Sequence, residues 1–451
     1  MEALKRRLTL IQATAINMID MVGIGPFVVL PMVIREFNSS LFIWAWIAGA
    51  VLALVDGMIW SELGAAYPLA GGSYNFLRIG YGPKWGRLMG FLFTWQTAIQ
   101  APLVLASGAI GFATYLRYLL PLVEGWKSEA VSVFVILLIT ALLYRRIEAV
   151  GRLSLVLWGS VLLTMAWIII GGLLHHDANF SINILPDQFN TFWNPAFLTA
   201  LAFAGQKTVY SYLGYYNVCH LGGEIVAPQK NIPRSIFISI FCIAALYLCM
   251  NLSIVSVVPW REAKDFDFVV SVFMEKAFGG TAARAATALV LIVAFSSLFA
   301  VLLGYSRVPF AAARDGNFFR VFGKLHPTKD FPHVSLLFIS GLAIVFTFLF
   351  SLKEAISAIL AMRILVQFIA QAIGAVLLRR RRETKDLPFK MWLYPLPVIA
   401  SVLIWLALFV STKLFALWGF CMAMAGVAVF YLKESATKKR AAEATPDDFT
   451  F

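Results

Sequence analysis

Three things are scarce in this chain, and each scarcity closes off a class of function. Cysteine occurs four times, at Cys219, Cys242, Cys249 and Cys421. All four lie inside apolar stretches and none forms a C-x-x-C pair, so neither a disulfide framework nor a cysteine metal site is expected. The five histidines (His175, His176, His220, His326, His333) fall mostly at loops and make no intramembrane cluster. No H-E-x-x-H, G-x-S-x-G or G-x-x-x-x-G-K-[ST] occurs, so no catalytic residue and no cofactor is expected. Charge is the third scarcity: only 14% of residues are Asp, Glu, Lys or Arg. No repeated filter sequence or ring of pore charges, as a channel would need, is visible.

What fills the space is hydrocarbon. Hydrophobic residues make up 60% of the 451 positions, and mean hydropathy is +0.80. Soluble globular chains of this size do not have that composition. The apolar runs are about 20 residues long, the length of a membrane-crossing helix rather than of a barrel strand. The pattern predicts an all-α polytopic membrane protein with about twelve spans. They fall roughly at 10–33, 41–64, 86–118, 129–147, 152–174, 194–222, 234–259, 284–312, 334–351, 355–378, 391–411 and 414–432. The first run is too long and uninterrupted for a cleaved signal peptide.

In a soluble protein the formal net charge of +13 would point to nucleic acid. Here it reflects loop asymmetry, and no nucleic acid partner is expected. With the N-terminus placed in the cytoplasm, 26 of the 37 Lys and Arg fall on the inner side, including Arg146, Arg379 to Arg382, Lys385 and Lys438 to Arg440. The positive-inside rule then puts both termini in the cytoplasm of a multi-pass protein of the plasma or inner membrane. Residues 1–433 read as one transmembrane domain and 434–451 as a disordered polar tail.

Gly23-Ile24-Gly25-Pro26 interrupts the first span. Pro26 has no N–H to donate back to Val22, and the glycines add backbone freedom. Alone, this is either a proline kink or a true break lining a cavity, because lipid cannot hydrate freed backbone groups. The sixth span holds a counterpart, Tyr210-Ser211-Tyr212-Leu213-Gly214-Tyr215-Tyr216-Asn217. Alone, that glycine reads as a packing notch. Together, at matching places about five spans apart, the two read as the paired broken helices of a secondary transporter.

Four segments, in order, resemble those of the amino acid–polyamine–organocation (APC) transporter superfamily. Gly23-Ile24-Gly25-Pro26-Phe27 is similar to its first-helix G-S/A-G-I-F motif. Ser61-Glu62-Leu63 through Tyr67-Pro68, with Gly71-Gly72-Ser73-Tyr74, resembles the second-helix signature. Glu224 to Arg234 resembles the loop after helix six. Ser306-Arg307 to Asp315-Gly316, followed by His326-Pro327, resembles the loop after helix eight. The resemblance implies a LeuT-like fold with inverted repeats of five helices (about 8–175 and 194–380), broken helices 1 and 6, and two peripheral helices (about 391–432). It also implies a substrate carboxylate on backbone amides at Gly23, Ile24 and Gly25. The substrate amine would lie among Tyr210, Tyr212, Leu213, Gly214 and Tyr215. Ile24 stands where the family has a small residue and narrows the pocket, while Pro26 removes an amide.

Ionisable groups inside the bilayer each need a reason. Asp20 lies one turn before Gly23 and is placed to carry a coupling proton, hold a cation or meet a basic substrate group, or else to pair with Lys207. Asp56 and Lys207 are expected to neutralise one another. Arg363 is expected to cap helix carbonyls or an inner gate, and Glu62 and Glu224 to pair with loop arginines. Ser160 occupies the place of a fifth-helix lysine found in some relatives. Ser296 and Ser297, with Gly23, offer oxygens for Na⁺. Coupling to H⁺ or to Na⁺ stays open. Phe268 to Phe278 reads as an outer lid or an interfacial helix, and Arg379 to Arg382 as contacts to anionic lipid. The function expected is alternating-access transport of amino acids as a symporter or exchanger, with polyamines or other organic cations as the alternative substrates.

Overall fold

The computed structural model describes residues 6–145, 147–177, 189–381 and 387–443. Arg146, Arg382, Lys385 and the last residues of the tail lie outside the described residues.

The first span is two helices. α1 (Leu10–Met21) starts from a capping box in which Thr9 and Gln12 satisfy each other's amides. It stops at Val22, and α2 (Gly25–Phe37) resumes with Pro26 in its first turn. The axes differ by 43°. α3 (Ile43–Ala66) and the short α4 (Ser73–Gly80) lead to α5 (Gly82–Leu119), the longest helix, and then to α6 (Trp126–Leu143) and α7 (Ile147–His175). α8 (Pro195–Tyr212) is broken in turn, continuing after a gap as α9 (Asn217–His220). α10 (Pro228–Val257), α11 (Trp260–Ala263) and α12 (Val269–Phe278) precede α13 (Gly280–Tyr305), α14 (Arg307–Arg314) and α15 (His333–Leu349). α16 (Leu352–Arg363) runs through a π-helical stretch, Ile364–Ala370, into α17 (Gln371–Arg381). α18 (Leu396–Ser411) and α19 (Leu414–Glu443) complete the chain.

Among the described residues eight helices are long and apolar enough to cross a membrane, nine with the bent α1–α2 pair. α15 and α18 are shorter apolar helices. The protein is an all-α polytopic membrane protein, with crossings near the expected positions. α19 continues as helix to Glu443, into the stretch expected to be a polar tail.

Leu8 and Lys433, near the two ends of the described residues, reach one face, here called the terminus face. Leu8 pairs with Ile225 in a short parallel bridge, and Lys433 at the end of α19 donates to the carbonyls of Gly316 and Phe318. Ion pairs staple this face. Glu224 meets Arg307 at 3.2 Å with both side chains buried. Arg379 holds the carboxylate of Glu62, which also accepts from the Met391 amide at 2.7 Å. Arg78 lies 3.2 Å from Asp315. Glu62, Glu224 and Asp315 all come from the motif segments, which therefore converge here. The arginines belong to helices rather than loops, and Arg379 is spent on a buried pair, not on lipid.

On the opposite face Lys207 pairs with Glu36, at the end of α2. The expected Asp56–Lys207 pair does not form, and neither does Asp20–Lys207. Lys207 lies in the last third of α8, where its amine meets the Glu36 carboxylate at the end of α2 instead of either aspartate. α12 is packed rather than free. Val270, Phe273 and Met274 are buried, Ser271 bonds Thr287 of α13 at 2.8 Å, and the Phe268 ring meets Tyr115 of α5.

Candidate substrate site between two broken helices

The gap after α1 leaves carbonyls without amides and amides without carbonyls. Among the described residues the amides of Ile24 and Gly25 have no backbone acceptor. They sit at the N-terminus of a 13-residue helix, where the aligned peptide dipoles favour an anion. The gap after α8 is set by Leu213, in extended backbone, and by Gly214 at φ +120°. Gly214 is needed twice over. That φ disfavours any L side chain, and a Cβ would sit 2.8 Å from the Met21 amide nitrogen and 2.9 Å from Cγ of Asp20. The two gaps therefore touch.

Side chains far apart in sequence hold them. Asn17 of α1 accepts from the Val218 amide at 2.8 Å, capping α9 from outside. Asn217 donates to the Ala300 carbonyl of α13 at 2.9 Å. The Tyr247 hydroxyl of α10 lies 2.7 Å from the Met21 carbonyl and 3.0 Å from that of Ser211, bridging both gaps. Asn17 was legible as an amide in an apolar run; nothing in the sequence marks Tyr247. Tyr247→Phe leaves freed carbonyls without their donor. It is expected to destabilise by about 1 kcal/mol and to raise KM for uptake severalfold at unchanged surface expression, measured side by side in vesicles.

A cavity of about 40 Å³ lies where the gaps face each other. At ~10–15 Å³ per water it has room for about three waters. Larger clefts of about 410 and 340 Å³ open at the two faces; neither is lined by the breaks, whereas the central cavity is lined by both. Gly23, Ile24, Gly25, Tyr210, Leu213, Gly214, Asp20 and Ser297 all line it. Ile24 packs so closely on Gly111 of α5 that a Cβ there would come within 2.8 Å of it. Ser297 donates to the Asp20 carbonyl at 3.2 Å, and its Oγ lies so near Gly23 that a Cβ there would come within 2.6 Å. The Tyr210 hydroxyl is 3.1 Å from Ser107 of α5.

Four expected site residues lie elsewhere. Tyr212 turns its ring onto Trp46 and Tyr247. Tyr215 donates to Asp56 at 2.6 Å, away from the cavity. The break shifts helical phase, so facing cannot be carried across it from the sequence. Ser296 bonds back to the Ile292 carbonyl, and Ser160 to that of Leu157. Both are hydroxyls satisfied within their own helices. In their stead the cavity takes Tyr216, Tyr305 and Arg363. Among the described residues the hydrogen bond from Arg363 runs from Nη1 to the Tyr216 hydroxyl at 2.6 Å, rather than to a helix carbonyl.

The chain can now be set beside known proteins. A model of the amino acid permease family matches residues 8–431. The chain is 26% identical to the Asc-type amino acid transporter 1 of Mus musculus, over 95% of this chain and 81% of that protein. It is 24% identical to the serine/threonine exchanger SteT of Bacillus subtilis (strain 168), covering 88% of this chain and 89% of that one. It is 25% identical to the branched-chain amino acid permease BcaP of Lactococcus lactis subsp. cremoris (strain MG1363), covering 90% of each. With that match spanning nearly every described helix, the chain belongs to the amino acid permease family.

Proposed function

We propose that this protein is a secondary carrier of small amino acids, working by alternating access about the two breaks. The observation that carries this reading is a central cavity lined by unpaired amides of Ile24 and Gly25 on one side and by the Tyr210–Gly214 segment on the other. A carboxylate on those amides and an ammonium near Asp20 and the end of α8 would orient a zwitterion with no covalent step. Family membership favours amino acids over the polyamine alternative. The excess of Lys and Arg on the terminus face supports placing both termini in the cytoplasm of the plasma or inner membrane. The expected inverted repeats and peripheral helices are consistent with breaks in spans one and six. Uptake of a labelled amino acid panel into proteoliposomes tests the reading, and failure of every amino acid, with putrescine carried instead, would overturn it.

For coupling, Asp20 supports a proton reading. Its side chain is half-buried, faces the cavity with Tyr210, Tyr216, Tyr305 and Arg363, and packs against Gly214. The sodium reading keeps Ser297 and Gly23 but loses Ser296. An inward proton gradient is expected to stimulate wild-type uptake severalfold. Asp20→Asn is expected to abolish that stimulation while leaving exchange of internal for external substrate. Stimulation by Na⁺ alone would point to Ser297 instead, and a mere loss of expression in Asp20→Asn would make Asp20 structural.

A further inference from the structure

We infer that Arg363 reads the substrate's side chain, selecting small amino acids whose side chain carries a hydrogen-bond acceptor over aliphatic ones of the same shape. The inference rests on the cavity being the substrate site. Arg363 is 2% exposed, yet it lines the cavity. A buried guanidinium is ordinarily paired with a carboxylate. Here no ion pair within 4 Å includes it among the described residues, even though Asp20 lines the same cavity. Its hydrogen-bond and ring contacts are neutral, the Tyr216 hydroxyl at 2.6 Å and the Tyr305 ring 5.3 Å from the guanidinium carbon, while Asp20 acts on its charge from beyond ion-pair distance. Its Nε is buried with no acceptor.

Position then assigns the role. α16 puts Ile359 and Arg363 on one face, a turn apart, and Arg363 is the last residue before the π-helical stretch. Widened π turns recur at functional sites, where they re-aim a side chain. The α-carboxylate already has a cradle in the amides of Ile24 and Gly25. Arg363, grouped with Tyr216 and Tyr305, enters the cavity from α16 rather than from the α1–α2 break, and we assign it to what extends beyond the α-carbon. A guanidinium donates and cannot accept, so it matches a hydroxyl, carboxamide or carboxylate oxygen. A methyl group in the same place would leave a buried donor unpaired. Sites built to bond a polar group reject the isostere lacking it strongly, unlike purely apolar pockets.

Threonine and valine are such isosteres. In proteoliposomes the wild-type protein is expected to prefer threonine to valine by at least ~10-fold in competition for a labelled amino acid, equivalent to about 1.4 kcal/mol. Serine over alanine should follow the same direction. Arg363→Met is expected to bring both ratios near one. Binding to purified wild type, read as thermal stabilisation by threonine against valine, gives the same test without a variant. Equal stabilisation, or preference for valine, overturns the inference even where amino acid transport itself holds. If aspartate exceeds threonine while threonine still exceeds valine, the acceptor class narrows toward a carboxylate. If no amino acid binds at all, it is the carrier reading that has failed.

Discussion

Gly25→Leu is expected to abolish substrate binding while the protein still inserts and purifies as a monodisperse species. A Cβ on Gly25 would already lie 3.2 Å from Ser211 Oγ and 3.3 Å from the Tyr210 ring. The remaining atoms of a leucine have only the 40 Å³ cavity to enter. They would cover the amides of Ile24 and Gly25, each a donor to a charged group worth about 1.5–3 kcal/mol. Losing that contact predicts at least ~100-fold weaker binding at 1.4 kcal/mol per decade. Insertion should survive, because leucine is apolar and a better helix former than glycine in α2. Gly25→Ala should fall between. Gly159→Leu in α7 is the control, since a Cβ there meets nothing within 4 Å. Titration calorimetry on the three variants decides it. Unchanged affinity in Gly25→Leu would move the substrate away from the α1–α2 break.

How much of this could be read beforehand depends on how local each signal was. The spans were legible because bilayer length and hydropathy set them residue by residue. The breaks were legible because Pro26 and the neighbouring glycines are locally incompatible with a helix. Gly23, Ile24 and Gly25 then faced the cavity because they are the break. Tyr212 and Tyr215 did not, since orientation inside an unwound segment follows from what packs on it. For Tyr215 that is Asp56 in α3, and for Tyr212 it is Tyr247 in α10. Partner choice among buried charges was the least legible. Lys207 and Asp56 have opposite charge and similar apparent depth, but Glu36 lies closer to the one and four neutral donors surround the other.

That second environment yields the other large effect. Asp56 is 1% exposed and accepts four hydrogen bonds, two on each oxygen. Trp60 Nε1 at 2.8 Å and the Tyr215 hydroxyl at 2.6 Å reach Oδ2. The Ser401 hydroxyl at 3.0 Å and Trp405 Nε1 at 3.3 Å reach Oδ1. All the acceptor capacity of a carboxylate is used, and three of the four donors tie α3 to the α8–α9 gap and to α18. Asp56→Ala strands four buried donors. At about 1–3 kcal/mol for each unsatisfied group, less than additive, a loss of roughly 4 kcal/mol is expected, seen as a large fall in thermal midpoint. Asp56→Asn separates geometry from charge. Each oxygen serves one hydroxyl and one indole. A hydroxyl can turn to accept from the new amide, but an indole N–H can only donate. One tryptophan must therefore lose its acceptor whichever way the amide is placed, predicting about 1–3 kcal/mol and altered tryptophan emission. Because Tyr215 adjoins Gly214 and Tyr216, the surviving Asp56→Asn protein should show raised KM with kcat less affected. Adding Lys207→Gln should rescue nothing, since Lys207 belongs to Glu36. Rescue would mean that the two charges do meet across the membrane and that the four-donor site is not what stabilises Asp56.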